Sequence, residues 1–253
     1  MAGILQPLKV LTVAPRTKHT ATVIFIHGLG DTGHGWKPVA DMFQTDQALS
    51  HVKWILPHSP IRAVTANMGM EMPSWFDIAS FGFDSVEDEK GMLETVGLLE
   101  QLVSQEVESG ISPSRIVLGG FSQGGAMSLL TGLTMKPKLA SIVCLSGWLP
   151  LREKIKSMMS PHATSLPIFW GHGVLDPLIK YVFATSSVEV MEKQLGMKVT
   201  RNPGMDEKDK RVGPIPTDGG IVFNSYDGVG HFTLQKELDD VRDWIKQVLP
   251  KTE

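Results

Sequence analysis

Arg115-Ile116-Val117-Leu118-Gly119-Gly120-Phe121-Ser122-Gln123-Gly124-Gly125-Ala126-Met127 is the stretch from which the rest of this chain can be understood. Its first four residues form a β-branched, apolar run of strand type, and Ala126 to Met135 is rich in helix formers with an apolar face. Between them lies Gly120-Phe121-Ser122-Gln123-Gly124, a G-x-S-x-G pattern. A strand that passes into a helix through such a turn holds its serine in a strained conformation. The residues around it must lack a Cβ so that backbone and helix can pass closely. The hydroxyl then stands above the sheet at the positive end of a helix. The pentapeptide alone is a weak signal, because a solvated turn serine is written with the same letters. The flanking strand and helix shift the balance toward a nucleophile, and partners elsewhere must supply the rest.

Length and composition set the bounds. A chain of 253 residues with 42% hydrophobic content is expected to form a single α/β domain over 1–253 with a large core. A net charge of -3 without long blocks of like charge gives no general attraction to nucleic acid or anionic membrane. One cysteine cannot form an internal disulfide, and the first residues lack the basic start and apolar core of a signal peptide, so a reducing, cytoplasmic compartment is expected. No apolar run is long enough for a membrane span. Cys144 lies in Ser141-Ile142-Val143-Cys144-Leu145 and reads as a buried structural thiol.

Outward from the elbow, strands are predicted at Leu8 to Val13, Thr22 to Ile26, Val52 to Leu56, Ala140 to Leu145, Pro167 to Trp170 and Ile221 to Tyr226. Helices are predicted at Trp36 to Gln47, from Ser85-Val86-Glu87-Asp88 to Gly110, at Ile179 to Leu195 and at Leu234 to Leu249. This β/α alternation, with strands apolar throughout, argues for a mostly parallel sheet covered on both faces. Pro57 to Phe83 reads as a long irregular stretch whose thioethers and aromatics suit either an apolar ligand or a satellite cluster. Lys198 to Gly220 is too charged and broken to join the core and reads as a mobile loop, most of it on the side of the sheet away from Ser122.

In an open α/β sheet, functional residues gather beyond the carboxyl ends of the strands. His27-Gly28-Leu29-Gly30-Asp31-Thr32-Gly33 follows a buried strand without the Walker or dinucleotide spacing, so it reads as a donor loop for an oxyanion, and no cofactor or metal is expected. Asp176 and His231 fall in later post-strand loops. Among the eight histidines, His27, His172 and His231 follow strands; the first belongs to the donor loop and the second precedes Asp176 in its own loop, which leaves His231 as the base. The order Ser122, Asp176, His231 suits a nucleophile elbow served by two later loops. The backbone N–H groups of Leu29 and Gln123 are the natural oxyanion donors. Leu29, Trp75, Trp148 and Leu178, apolar residues on loops at this edge, are the expected substrate contacts.

With these residues in place, the chain closely resembles the acyl-protein thioesterases of the phospholipase/carboxylesterase family. The resemblance rests on His27 to Gly33, Pro73-Ser74-Trp75-Phe76-Asp77, Leu118 to Gly125, Trp148-Leu149-Pro150, Asp176-Pro177-Leu178 and Gly230-His231, in this order and across nearly the whole chain. It implies a minimal α/β-hydrolase fold without a cap domain. It also implies a serine hydrolase that removes palmitoyl groups from protein cysteines, with carboxylesterase and lysophospholipase side activity. The partners would be S-acylated proteins and other long-chain acyl esters or thioesters, with transient membrane-surface contact and a cytoplasmic, also nuclear, location. Rival readings are a short-chain carboxylesterase, a lysophospholipase, or a catalytically silent binding protein on the same scaffold. The stretch between Leu195 and Ile221 is longer than the family usually shows, and no cysteine stands near the N-terminus, where some relatives are palmitoylated.

Overall fold

The structure, a computed structural model, describes residues 6–80, 82, 85–205, 215–216 and 218–252. Its elements begin with β1 (Val10–Val13), β2 (Ala21–Ile26), α1 (Gly33–Phe43), β3 (Val52–Pro57), β4 (Ile61–Val64), β5 (Met70–Pro73) and α2 (Glu89–Glu108). They continue with β6 (Ile116–Phe121), α3 (Gln123–Thr134), β7 (Ser141–Leu145), α4 (Ile155–Met158), β8 (Pro167–Gly173), α5 (Tyr181–Lys193), β9 (Val199–Met205), β10 (Gly220–Tyr226) and α6 (Gln235–Val248).

Eight strands make one sheet in the order β1-β3-β2-β6-β7-β8-β10-β9. Only the pairing of β1 with β3 is antiparallel; the other six pairings are parallel. Continuously apolar strands require cover on both faces, and the side-chain period of two sorts them. Val23 and Phe25 of β2, Val117 of β6 and Phe169 of β8 pack with Trp36 of α1 and Trp244 of α6. Ile24, Ile26, Leu118 and Trp170 face the other way, onto Leu99 of α2, Met127 of α3 and Val188 of α5.

From β2 the chain moves one way to β3 and then returns to place β6 on the other side. The crevice where the direction reverses lies beyond the carboxyl ends of β2 and β6. The donor loop leaves β2 there, and the elbow leaves β6 there.

Three expectations are corrected. Within Pro57 to Phe83, β4 and β5 form an antiparallel hairpin that turns through Met68 (φ 56°) and Gly69 (φ 73°). The helix after Ser85 starts later, capped by Asp88, whose carboxylate accepts the N–H of Gly91 at 2.9 Å. The third concerns the charged stretch, whose first part is no loop: Val199–Met205 is the edge strand β9, in parallel register with β10 from Val199 opposite Ile221 to Met205 opposite Tyr226. Pairing satisfies the backbone groups that β10 would otherwise expose, and the Asn202 amide donates to Asn224 Oδ1 at 2.9 Å. Because β9 runs parallel, it ends with Met205 at the same edge of the sheet as Ser122. The acidic and basic run 206–214 lies outside the described residues.

Candidate active site

The elbow depends on two missing side chains. A Cβ on Gly120 would stand 2.5 Å from the backbone of Gly124, and one on Gly124 would stand 2.1 Å from the carbonyl oxygen of Ile26. Only glycine lets α3 start this close to β2. Ser122 between them has φ 55° and ψ -120°, a region that costs on the order of 1–3 kcal/mol for a residue with a Cβ. Its N–H donates to Leu145 O at 2.8 Å and its C=O accepts the N–H of Ala126 at 3.0 Å, which fixes the turn from both sides.

The loops after β8 and β10 bring Asp176 and His231 to this serine. His231 Nε2 lies 2.9 Å from Ser122 Oγ, and His231 Nδ1 lies 2.7 Å from Asp176 Oδ2. Asp176 is buried, and its Oδ1 accepts the N–H groups of Leu178 and Ile179, both at 2.9 Å. Four interactions thus hold the carboxylate and imidazole, and the Phe121 ring packs 4.8 Å from that of His231. With Nδ1–H donating to Asp176, Nε2 is left as the acceptor for the serine proton.

The other two post-strand histidines are committed elsewhere. His27 donates from Nδ1 to Gly28 O at 2.7 Å and accepts the N–H of Ser59 on Nε2 at 3.1 Å. His172 donates from Nε2 to Ile179 O at 2.7 Å, and burial holds both imidazoles below their ordinary pKa. Both are neutral supports of the loops. Cys144 is fully buried, and burial pushes its thiol up, far from a nucleophile's range.

The donor loop supplies the second half of the site. Gly30 N–H donates to Pro73 O and Asp31 N–H to Gly28 O. The N–H of Leu29 has no acceptor among the described residues, and the N–H of Gln123, in the first turn of α3, has no intrahelical one. The sequence does not reveal what the Gln123 side chain does. Fully buried, it accepts the N–H of Trp75 at 2.9 Å and donates to Phe76 O at 2.7 Å, tying the start of α3 to the Pro73 to Phe76 segment. A Gln behind a nucleophile looks from sequence like a helix residue; only the fold shows the strand end it must hold.

Leu29, Trp148 and Leu178 line a cleft of about 200 Å³ together with Ser122 and His231. Trp75 does not. It is fully buried, its Nε1–H donates to His27 O at 2.9 Å and its ring lies 5.0 Å from the imidazole of His27, so it braces the donor loop from behind. Ile78, Trp148 and Ile179 are shared with an adjoining cavity of about 60 Å³ lined by Phe76, Met92 and Phe183. Apolar space therefore continues from the serine past Trp148. The exposed thioethers of Met68 and Met70 stand on the β4–β5 hairpin and line neither.

The model of the phospholipase/carboxylesterase family matches residues 9–210. The chain is 48% identical over 245 residues to acyl-protein thioesterase 1 of Cryptococcus neoformans, covering 96% of this chain and 98% of that one. It is 41% identical over 254 residues to acyl-protein thioesterase 1 of Neurospora crassa, covering 97% and 92%. Among solved structures it is similar to Arabidopsis thaliana SOBER1, with a TM-score of 0.78 and 29% identity over 91% of this chain and 99% of that one. It is also similar to Zea mays acyl-protein thioesterase 2, with a TM-score of 0.75 and 28% identity over 95% and 99%.

Proposed function

The chain belongs to the phospholipase/carboxylesterase family, and from that premise we propose that it is a serine thioesterase that removes palmitoyl groups from protein cysteines, with Ser122, His231 and Asp176 as its catalytic residues. The observation that carries this reading is the placement of Ser122 Oγ, 2.9 Å from His231 Nε2, at the entrance to apolar space that continues past Trp148 into a second cavity.

The chemistry runs as follows. Ser122 Oγ attacks the thioester carbon as its proton passes to His231 Nε2, and Asp176 stabilises the imidazolium through Nδ1–H. Charge on the carbonyl oxygen is met by the N–H groups of Leu29 and Gln123. Collapse of the tetrahedral intermediate breaks the carbon–sulfur bond, and the cysteine leaves with the proton from His231. Water, deprotonated by the same imidazole, then releases the fatty acid. A thiolate is already a good leaving group, so this second proton transfer is undemanding.

The reading includes passing contact with a membrane surface, where palmitoyl groups reside. It is supported by the exposed Leu178, Val182 and Phe232 near the entrance; no helix among the described residues is long and apolar enough to cross a membrane. It also places the activity in the cytoplasm, on the support of a lone, buried cysteine. The test compares kcat/KM on acetyl, octanoyl and palmitoyl thioesters and on a lysophospholipid. A preference for the longer thioesters is expected. Preference for acetyl would favour a short-chain esterase, preference for the lysolipid a lysophospholipase, and a Ser122 that no fluorophosphonate labels would favour a silent scaffold.

A further inference from the structure

Once the acyl chain lies along the cavities beyond Ser122, the leaving group must emerge on the side of His231, because Nε2 is the atom that returns a proton to it. On that side lies a second, open groove lined by Asp31, Trp36, Phe121, His231, Phe232 and Thr233. Asp31, Phe121 and His231 line the acyl cleft too, so the groove begins where the scissile bond is placed.

Asp31 is exposed. Its Oδ1 accepts the N–H of Thr32 at 2.7 Å, and no cationic side chain among the described residues pairs with it. Lys37, on the adjacent helix, is paired with Asp41 instead. Phe232, across the groove, leaves 56% of its surface open. A carboxylate without a counterion beside an open aromatic face is a combination that attracts an ammonium or guanidinium group. We propose that this groove is a leaving-group subsite in which Asp31 recognises a lysine or arginine flanking the acylated cysteine of a protein substrate. The proposal rests on the thioesterase reading above.

The test uses three octanoyl thioesters: a short peptide with lysines on both sides of the acylated cysteine, a matched peptide with glutamates, and the neutral N-acetylcysteamine ester. Each peptide's kcat/KM is expressed relative to the neutral ester, so any effect of a substitution on the donor loop or on His231 cancels. The wild type should favour the lysine peptide over the glutamate peptide by about two- to fivefold at low salt, the range of an exposed charge pair. That preference should fade as salt screens it. Asp31→Asn, which keeps the oxygen that holds Thr32, should bring the ratio of the two peptides close to one. A ratio unchanged in Asp31→Asn, or absent from the wild type, overturns the proposal. If the wild type cleaves none of the thioesters, the thioesterase reading fails, and the same ratio on O-octanoyl serine peptides then decides the groove separately.

Discussion

Ser122 is held at a positive φ by the bond that its N–H donates to Leu145 O and the one that its C=O accepts from Ala126, and among the described residues its hydroxyl has one partner, His231. Ser122→Ala keeps the turn and removes the nucleophile, so kcat should fall on the order of a million-fold with an unchanged melting temperature. Turnover near the wild-type rate would remove Ser122 from the mechanism. Asp176→Asn should cost less, about ten-thousand-fold, by disturbing the tautomer of His231. Gln123 presents the opposite case: its backbone is the proposed donor while its side chain carries Trp75 and Phe76. Gln123→Ala keeps the donor but leaves the buried N–H of Trp75 unpaired, while Phe76 O keeps the hydroxyl of Ser74, and should destabilise by about 1–3 kcal/mol. A thermal melt unchanged by the substitution would show that the tie is dispensable. Glu237 offers a pH readout. Burial, with Asp240 adding to it, pushes this carboxyl up to about 8, and neither oxygen has a hydrogen-bond partner among the described residues. The folded protein therefore keeps a proton that the unfolded chain loses near the ordinary carboxylate pKa. Stability from this group is full below that value and is lost as pH rises through about 8. Glu237→Gln should flatten that decline and gain at least about 1.4 kcal/mol at alkaline pH, the worth of one pKa unit. Parallel losses in the two proteins between neutral and alkaline pH would contradict it.

At the scale of elements, what could be read from sequence was what local pattern determines. Continuous apolar runs announce β2, β6, β7, β8 and β10, and the rule that sites gather beyond strand ends points to Asp176 and His231 from the sequence. The misses have different causes, and for β9 and Trp75 the cause is a partner distant in the chain. β9 carries Arg201, Asn202 and a proline, a poor strand by propensity, and is a strand because β10 presents an open edge and Arg201 meets Glu192 at 3.2 Å. β4 and β5 are four residues each, too short for a period to show, and exist by pairing with each other. Trp75 reads as a substrate contact because it is an apolar residue on a loop at the active edge, yet Gln123 and His27 draw it inside. The edge strand gives a prediction that reverses the expectation for a loop. Replacing Arg201 to Thr217 with a short Gly/Ser link would remove most of β9 and leave β10 with unpaired backbone groups. The melting temperature should fall by several degrees, at about 2–4 °C per kcal/mol for a chain of this size. A variant that melts with the wild type would mean that β9 contributes nothing to the sheet.

For the molecule as a whole, the sheet order determines where the chemistry can occur, and the cavities determine what can reach it. The reversal of direction between β3 and β6 opens the crevice that receives the donor loop, the elbow and the later loops with Asp176 and His231. Ser122, Asp176 and His231 do not meet until the sheet has formed, since Ser122 and His231 stand 109 residues apart in the chain. The proposed acyl path is equally a product of the assembly: Met92 comes from α2, Trp148 from the loop after β7, Ile179 and Phe183 from the segment after β8. Ile78, Trp148 and Ile179 line both cavities and so mark the passage between them. If the long chain threads this passage, narrowing it should discriminate by length and spare the chemistry, which lies upstream. Ile78 suits the test because its side chain lies at the passage while its carbonyl remains free to accept the N–H of Ala66. Ile78→Trp should lower kcat/KM on palmitoyl thioester by at least about tenfold, or roughly 1.4 kcal/mol of barrier, while acetyl thioester stays within about threefold. Fluorophosphonate labelling of Ser122 at the wild-type rate would show the triad intact in the variant. Equal losses on both substrates would mean that the acyl chain takes another route and that the second cavity plays no part in binding it.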